Sequence, residues 1–365
     1  MKKLALVLVI SVLVFSVVGC NANNETGSQT DIKNQSEEVK DLNNDEDKNK
    51  TLDEKIIVYV SGPEEMINKL EETFEAERGD VIDMIKMSCG QVRSKVWAEQ
   101  ESGKIQADII WGSDPLIYNK LEEKNLLEKV NIEDIQNIKD IKDEYVLKDK
   151  NYILVNERYI TIMYNKNDFK EEQLPKSYDD LTKKQYKDML VIADASQSST
   201  ALAITSAIYQ MKGMEYLKKL KDNGVFLSKS NGQVPSKIME GQFSLGIGPH
   251  DSVVRLKNKA KKDGYEMPVE IIWPSEGAIA IQRPIALVRD DTRSEEQTKV
   301  ANEFINFIIS KKAQKITEKF GFASVRKDIE NKYIPESQNI VKIDWGRALL
   351  DEEKLTEYYK ELFQR

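Results

Sequence analysis

From Ile56 onward the chain alternates short apolar runs with amphipathic segments. Ile56 to Val60 (IIVYV) is β-branched and aromatic and predicts a strand. After the turn Ser61-Gly62-Pro63, the residues Met66, Ile67, Leu70 and Phe74 recur at helical spacing, and Gly79 is placed to stop the helix. VIDMIKMSCGQVRSKVWAEQESGK repeats strand, small polar turn and helix, with Val92, Val96 and Trp97 on one side. ADIIWGSDPLIYNKLEEKNLL is a third unit, with Gly112-Ser113-Asp114-Pro115 at its junction. MLVIADASQSSTALAITSAIYQM is a fourth, whose helix buries Ala203, Ile204, Ala207, Ile208 and Met211. GQFSLGIGPHDSVVRL, VEIIWPSEGAIAIQRPIALV and a helix around Val300 to Ile309 follow. Strands that feed helices predict an α/β fold with a mainly parallel sheet.

The first 55 residues break this pattern. Lys2 and Lys3, an apolar run from Leu4 to Val18, then Gly19 and Cys20 read as a secretion signal, the run being shorter than the ~20 residues that span a bilayer. Residues 21–55 carry almost no large apolar side chains and so read as a disordered polar tether. The remainder of the 365 residues is long enough for two domains of ordinary size. A formal net charge of -8 without a basic stripe argues against nucleic acid as a partner. With Cys20 in the leader, Cys89 is the one thiol of the body, which excludes an internal disulfide and a cysteine zinc site.

Candidate chemistry sits where strands enter helices, because ligands of open α/β sheets bind beyond the C-terminal ends of the strands. The loops read this way hold Ser61 and Gly62; Ser88, Cys89 and Gly90; Ser113 and Asp114; Ser196, Ser198, Ser199 and Thr200; His250, Asp251 and Ser252; and Ser275 and Glu276. Small and hydroxyl residues let backbone N–H groups approach a ligand, and helix starts favour an anion. Taken singly, each serine is an ordinary helix cap. A serine nucleophile needs a positioned base, and the chain has one histidine, His250. Nothing in the spacing of Asp194, Ser198 and His250 suggests a triad, no G-x-S-x-G elbow surrounds a candidate serine, and Cys89 reads as a small loop residue. No phosphate-loop, dinucleotide or zinc signature occurs, so no cofactor is expected.

The order of these segments resembles a known family. Val17-Val18-Gly19-Cys20 resembles a bacterial lipobox, in which the cysteine carries the lipid anchor. With IIVYVSGPEEMINKLEETFE, Gln-Ala-Asp-x-x-Trp-Gly (Gln106 to Gly112), ADASQSSTALAI, PSEGAIAI followed by Pro284, and KFGFASVR (Lys319 to Arg326), the chain is similar to extracellular solute-binding proteins of ABC importers over nearly all of residues 55 to 330. The nearest group includes ferric-iron-binding, phosphonate-binding and hexose-phosphate-binding members. The resemblance implies a type II periplasmic-binding-protein fold: a first lobe of 56–160 with a return near 276–312, and a second of 161–275 with C-terminal helices 313–365. The crossings are expected near Tyr159 to Asn165 and Ser275 to Ile281. It also implies a monomer tethered by Cys20 to the outer face of the membrane, closing on a small solute for an ABC permease and its ATPase.

Residues expected to contact the solute are Ser61, Ser88, Gly90, Ser113, Ser198, Ser199, Thr200, His250, Ser275 and Glu276, with Arg93 and Arg255 as charge partners. Ferric-binding members place adjacent tyrosines where this chain has SLGIGPHDSVVRL, which holds none. No protein-built metal site is therefore expected, although His250 and Asp251 are ligating types. A phosphonate or phosphorylated solute fits better. Ferric iron or its chelate is the alternative solute, and a secreted serine hydrolase the alternative class.

Overall fold

The structure, a computed structural model, describes residues 55–364 other than residue 337. The secretion signal, Cys20 and all but the last residue of the tether lie outside the described residues.

The chain opens with three strand–helix units: β1 (Ile56–Val60), α1 (Glu64–Arg78), β2 (Ile82–Lys86), α2 (Cys89–Glu101), β3 (Ile109–Trp111) and α3 (Pro115–Glu123). After short 3-10 turns comes the long β4 (Ile153–Asn165). A second set follows: β5 (Leu190–Ala193), α4 (Ser199–Lys212), α5 (Met214–Asp222), β6 (Phe226–Ser228), α6 (Gln233–Met239), β7 (Leu245–Pro249) and α7 (His250–Lys262). The chain returns through β8 (Val269–Ile272) and β9 (Ala278–Leu287) to α8 (Glu295–Ile308) and α9 (Lys311–Lys319). It closes with β10 (Ala323–Ser324), β11 (Ile340–Val341), α10 (Trp345–Leu350) and α11 (Glu352–Phe363).

One sheet runs through the molecule in the order β2-β1-β3-β9-β4-β7-β5-β6. Its outer strands are parallel, β2-β1-β3 in the first lobe and β7-β5-β6 in the second. Apolar residues cover both faces of such strands, which is why IIVYV and LVIA lack polar alternation. Between them lie the two antiparallel strands β4 and β9. The first half of β4 pairs with β9 and its second half with β7 and β8, and Ile160 faces both Ile279 and Pro249 at the exchange. These strands are the two crossings between lobes.

Each lobe packs helices on both faces of its part of the sheet. In the first lobe α1, α8 and α9 cover one face, where Phe74 meets Phe304 and Phe307 at 5.2 and 5.3 Å between ring centroids. Ala313, Phe322 and Val325 join the same core. Residues 313–325 therefore build the first lobe, not the second as the sequence reading assigned them. Of the closing segment, α10 and α11 cover the second lobe through Trp345, Ala348, Leu355 and Tyr359.

Candidate ligand cleft

The C-terminal ends of the parallel strands in both lobes face one another across a cleft of about 400 Å³. Its walls carry the starts of α1, α2, α4 and α7. Each start presents backbone N–H groups that its own helix leaves unpaired, and the helix dipole is positive there. From the first lobe the lining includes Ser61, Ser88, Cys89 and Ser113; from the second, Ser198 and Thr200. Ser88 and Ser198 cap their helices by accepting from Gln91 and Ala201 N–H at 3.3 Å each, so each hydroxyl proton is left for another acceptor. Ser61 Oγ lies 2.9 Å from Cys89 Sγ. Thr200 Oγ1 donates across the lobes to the Ser113 carbonyl at 3.2 Å.

Beside Lys86 and Glu64 in its lining, three arginines bring charge to the cleft. Arg158 on β4 and Arg255 on α7 line it, and both hold the buried Asp251, Arg158 through Nε at 2.9 Å and through Nη2, and Arg255 through Nη1. Burial alone would raise the Asp251 carboxyl, but these two guanidiniums hold it well below the usual carboxylate range. Arg283 on β9 is fully buried in the first-lobe wall. It donates to the Ser61 carbonyl and, at 3.2 Å, to Asn156 Oδ1, and lies over Trp111 and Phe322 at 5.0 and 4.4 Å from their ring centroids. No carboxylate pairs with it among the described residues. Phe322, which also lines the cleft, stacks under Arg158 at 5.2 Å. The cleft thus holds two guanidiniums on one buried carboxylate, with a third in the wall behind Ser61.

The structure scatters some of the expected contacts. Gly90 and Ser199 sit in the seam between α2 and α4, where a Cβ on Gly90 would lie 3.8 Å from the Gln197 carbonyl oxygen and 3.9 Å from the Ser199 nitrogen. His250 is fully buried beside the crossings, its Nδ1 accepting from Tyr159 N–H at 3.0 Å and its ring near Tyr159 and Trp273. It faces neither Ser198 nor Cys89, and Asp194 is occupied by Ser196 and Gln197, so no triad is assembled. Ser275 and Glu276 lie outside the cleft, because their loop enters β9 at the far end of the sheet. Glu276 accepts from Tyr178 N–H at 2.9 Å and pairs at 3.1 Å with Lys212, the last residue of α4, some 20 Å along that helix from Ser198. Arg93 is spent on Asp114 and Glu352 and does not line the cleft. No cluster of three His, Cys, Asp or Glu able to hold a metal occurs among the described residues, and no tyrosine lines the cleft.

Residues 105–349 match the family described as bacterial extracellular solute-binding protein. The chain belongs to that family. Iron-bound HitA from Pseudomonas aeruginosa has the same fold, with a TM-score of 0.72 and 18% identity over 85% of this chain and 99% of its own. So does AfuA from Actinobacillus pleuropneumoniae, with fructose-6-phosphate bound, at a TM-score of 0.72 and 20% identity over 86% and 99%. These likenesses identify the architecture as the type II periplasmic-binding-protein fold. In sequence, the spermidine/putrescine-binding periplasmic protein of Salmonella typhimurium is 26% identical over 207 residues, 51% of this chain and 56% of the relative. The match thus spans about half the length of that relative. No helix among the described residues is long and apolar enough to cross a membrane.

In this solute-binding protein His250 makes stability depend on pH. Burial, opposed by the Asp251 charge, lowers its pKa, so the folded chain keeps the ring neutral while the unfolded chain takes up a proton below about pH 6.5. Stability therefore falls as pH drops through 6.5. In urea unfolding, the wild type is expected to lose about 1–2 kcal/mol more than His250→Asn between pH 7 and pH 5, a difference that cancels the other titrating groups. Equal losses would show that the ring is charged in the fold.

Proposed function

We propose that this chain is the substrate-binding component of an ABC importer, capturing a small anion between its lobes and delivering it to a membrane permease. The observation that carries the anion is the pair Arg158 and Arg255 held on the buried Asp251, with Arg283 unpaired by any carboxylate among the described residues in the wall behind Ser61, where four helix starts converge. Such a site attracts a phosphonate or phosphate group through charge-assisted hydrogen bonds and helix dipoles. The lobes close by flexing β4 and β9, and no covalent bond changes. Cys20 carries the lipid that holds the body at the outer face of the membrane, with residues 21–55 as the leash.

The same lining disfavours a polyamine, whose ammonium groups would meet guanidiniums. It also disfavours bare ferric iron, which would find no phenolate. An anionic ferric chelate fits the charge and is retained as the alternative solute.

A thermal-shift panel of phosphonates, sugar phosphates, ferric citrate, ferric iron, thiamine, putrescine and spermidine tests this. A ligand at 100 times its Kd stabilises by about 2.7 kcal/mol. Anions should raise Tm and polyamines should not. A shift confined to the polyamines would overturn the anion reading.

A further inference from the structure

Beside the cleft, and sharing Pro63, Glu64, Gly232, Ser252 and Arg255 with it, lies a second and larger groove of about 670 Å³. The two are one continuous space with different linings. The inner part is faced by hydroxyls, helix starts and Arg158. The outer part runs along α7, which presents Arg255, Lys259 and Lys262 at a spacing that stacks them on one helix face over about 10 Å. Leu256 lies among them, and Phe320 and Lys319 stand on the opposite wall at the end of α9. Lys259, Lys262 and Lys319 form no ion pair among the described residues, whereas their neighbour Lys257 is held by Glu270. Glu64 and Glu65 face the same groove from the first turn of α1, where the helix dipole already stabilises them. Asp263, the C-cap of α7, adds a third carboxylate beside Lys262, so the surface open to an anion at the outer end is the helix face shared by Arg255, Lys259 and Lys262.

We infer that the solute is an elongated organic dianion rather than a bare inorganic one. Its first acidic group sits in the inner cleft, its apolar body lies against Leu256 and Phe320, and its second acidic group meets Lys259 and Lys262. This rests on the anion reading of the inner cleft. An inorganic oxyanion would leave the outer groove unused.

Titration calorimetry of the full chain with four probes tests it: methylphosphonate, benzylphosphonate, 4-carboxybenzylphosphonate and 4-(aminomethyl)benzylphosphonate. Benzylphosphonate is expected to bind about tenfold more tightly than methylphosphonate, through apolar burial. The carboxylate should add a further gain of roughly two- to fivefold, lost in Lys259→Gln/Lys262→Gln and in high salt. Both lysines are exposed, so the double variant should keep its methylphosphonate affinity, which also reports correct folding. Equal affinity for methyl- and benzylphosphonate, or preference for the ammonium-bearing probe, would overturn the inference while leaving the inner anion site standing. Failure of all four probes to bind would remove both.

Discussion

Arg283→Met should weaken binding of the preferred phosphonate or phosphate about tenfold while costing only about 1–3 kcal/mol of stability. Arg283 is fully buried and no carboxylate repays its desolvation, which pushes its pKa down together with the like charge of Arg158. Methionine relieves that desolvation but leaves the Ser61 carbonyl and Asn156 Oδ1 without their donor, and the two effects partly offset. Methionine is flexible enough to fill the slot between Trp111 and Phe322 that the guanidinium occupies. The variant loses a fixed positive charge behind Ser61 and Gly62, in a wall where water does not screen it. Urea unfolding and calorimetry on the same sample decide the matter. A large loss of stability with unchanged anion affinity would make Arg283 a structural element only.

Arg93→Ala should instead act on stability, costing about 3–5 kcal/mol. Arg93 grips Asp114 through Nε at 2.8 Å and Nη2 at 3.3 Å, and reaches Glu352 at the start of α11 through Nη1 at 2.5 Å. Burial raises the Asp114 carboxyl and Arg93 is what opposes it, so removing the guanidinium leaves a buried carboxylate without its partner. Glu352→Gln should cost only about 1 kcal/mol, because the buried pair survives. Denaturant midpoints of the two variants give the comparison. A loss for Arg93→Ala no larger than for Glu352→Gln would show that the bond to Asp114 contributes little.

The repeating strand–turn–helix grammar was legible in the sequence because parallel strands covered on both faces are nearly all apolar, and the hydroxyls that follow them stand out. That is how Ser61, Ser88, Ser113, Ser198 and Thr200, which line the cleft, were picked out. Ser275 and Glu276 were chosen by the same composition, but a local stretch does not reveal which end of a strand it flanks, and theirs precedes β9. His250 marks a helix start, yet packing turned its ring toward Tyr159. Arg158 and Arg283 were passed over although a signal existed: each is a lone cation within an apolar strand, ILVNERYITIM and AIAIQRPIAL. The placement of 313–325 depended on Phe322 finding a core more than two hundred residues upstream, which no local pattern encodes.

The path of the chain through β4 and β9 also orders its assembly. Residues 56–152 supply three parallel strands, but the strand β9 that flanks β3, and the helices α8 and α9 that cover β1, come only after residue 277. During synthesis the apolar inner surface of the first lobe must therefore wait for the chain to pass through the entire second lobe. The strands of residues 161–275 pair mostly with one another and with β4, but their core is likewise closed only by Trp345, Ala348, Leu355 and Tyr359 of α10 and α11. Each lobe is thus closed by helices that lie beyond residue 277, so neither core can be completed until the closing part of the chain has been made.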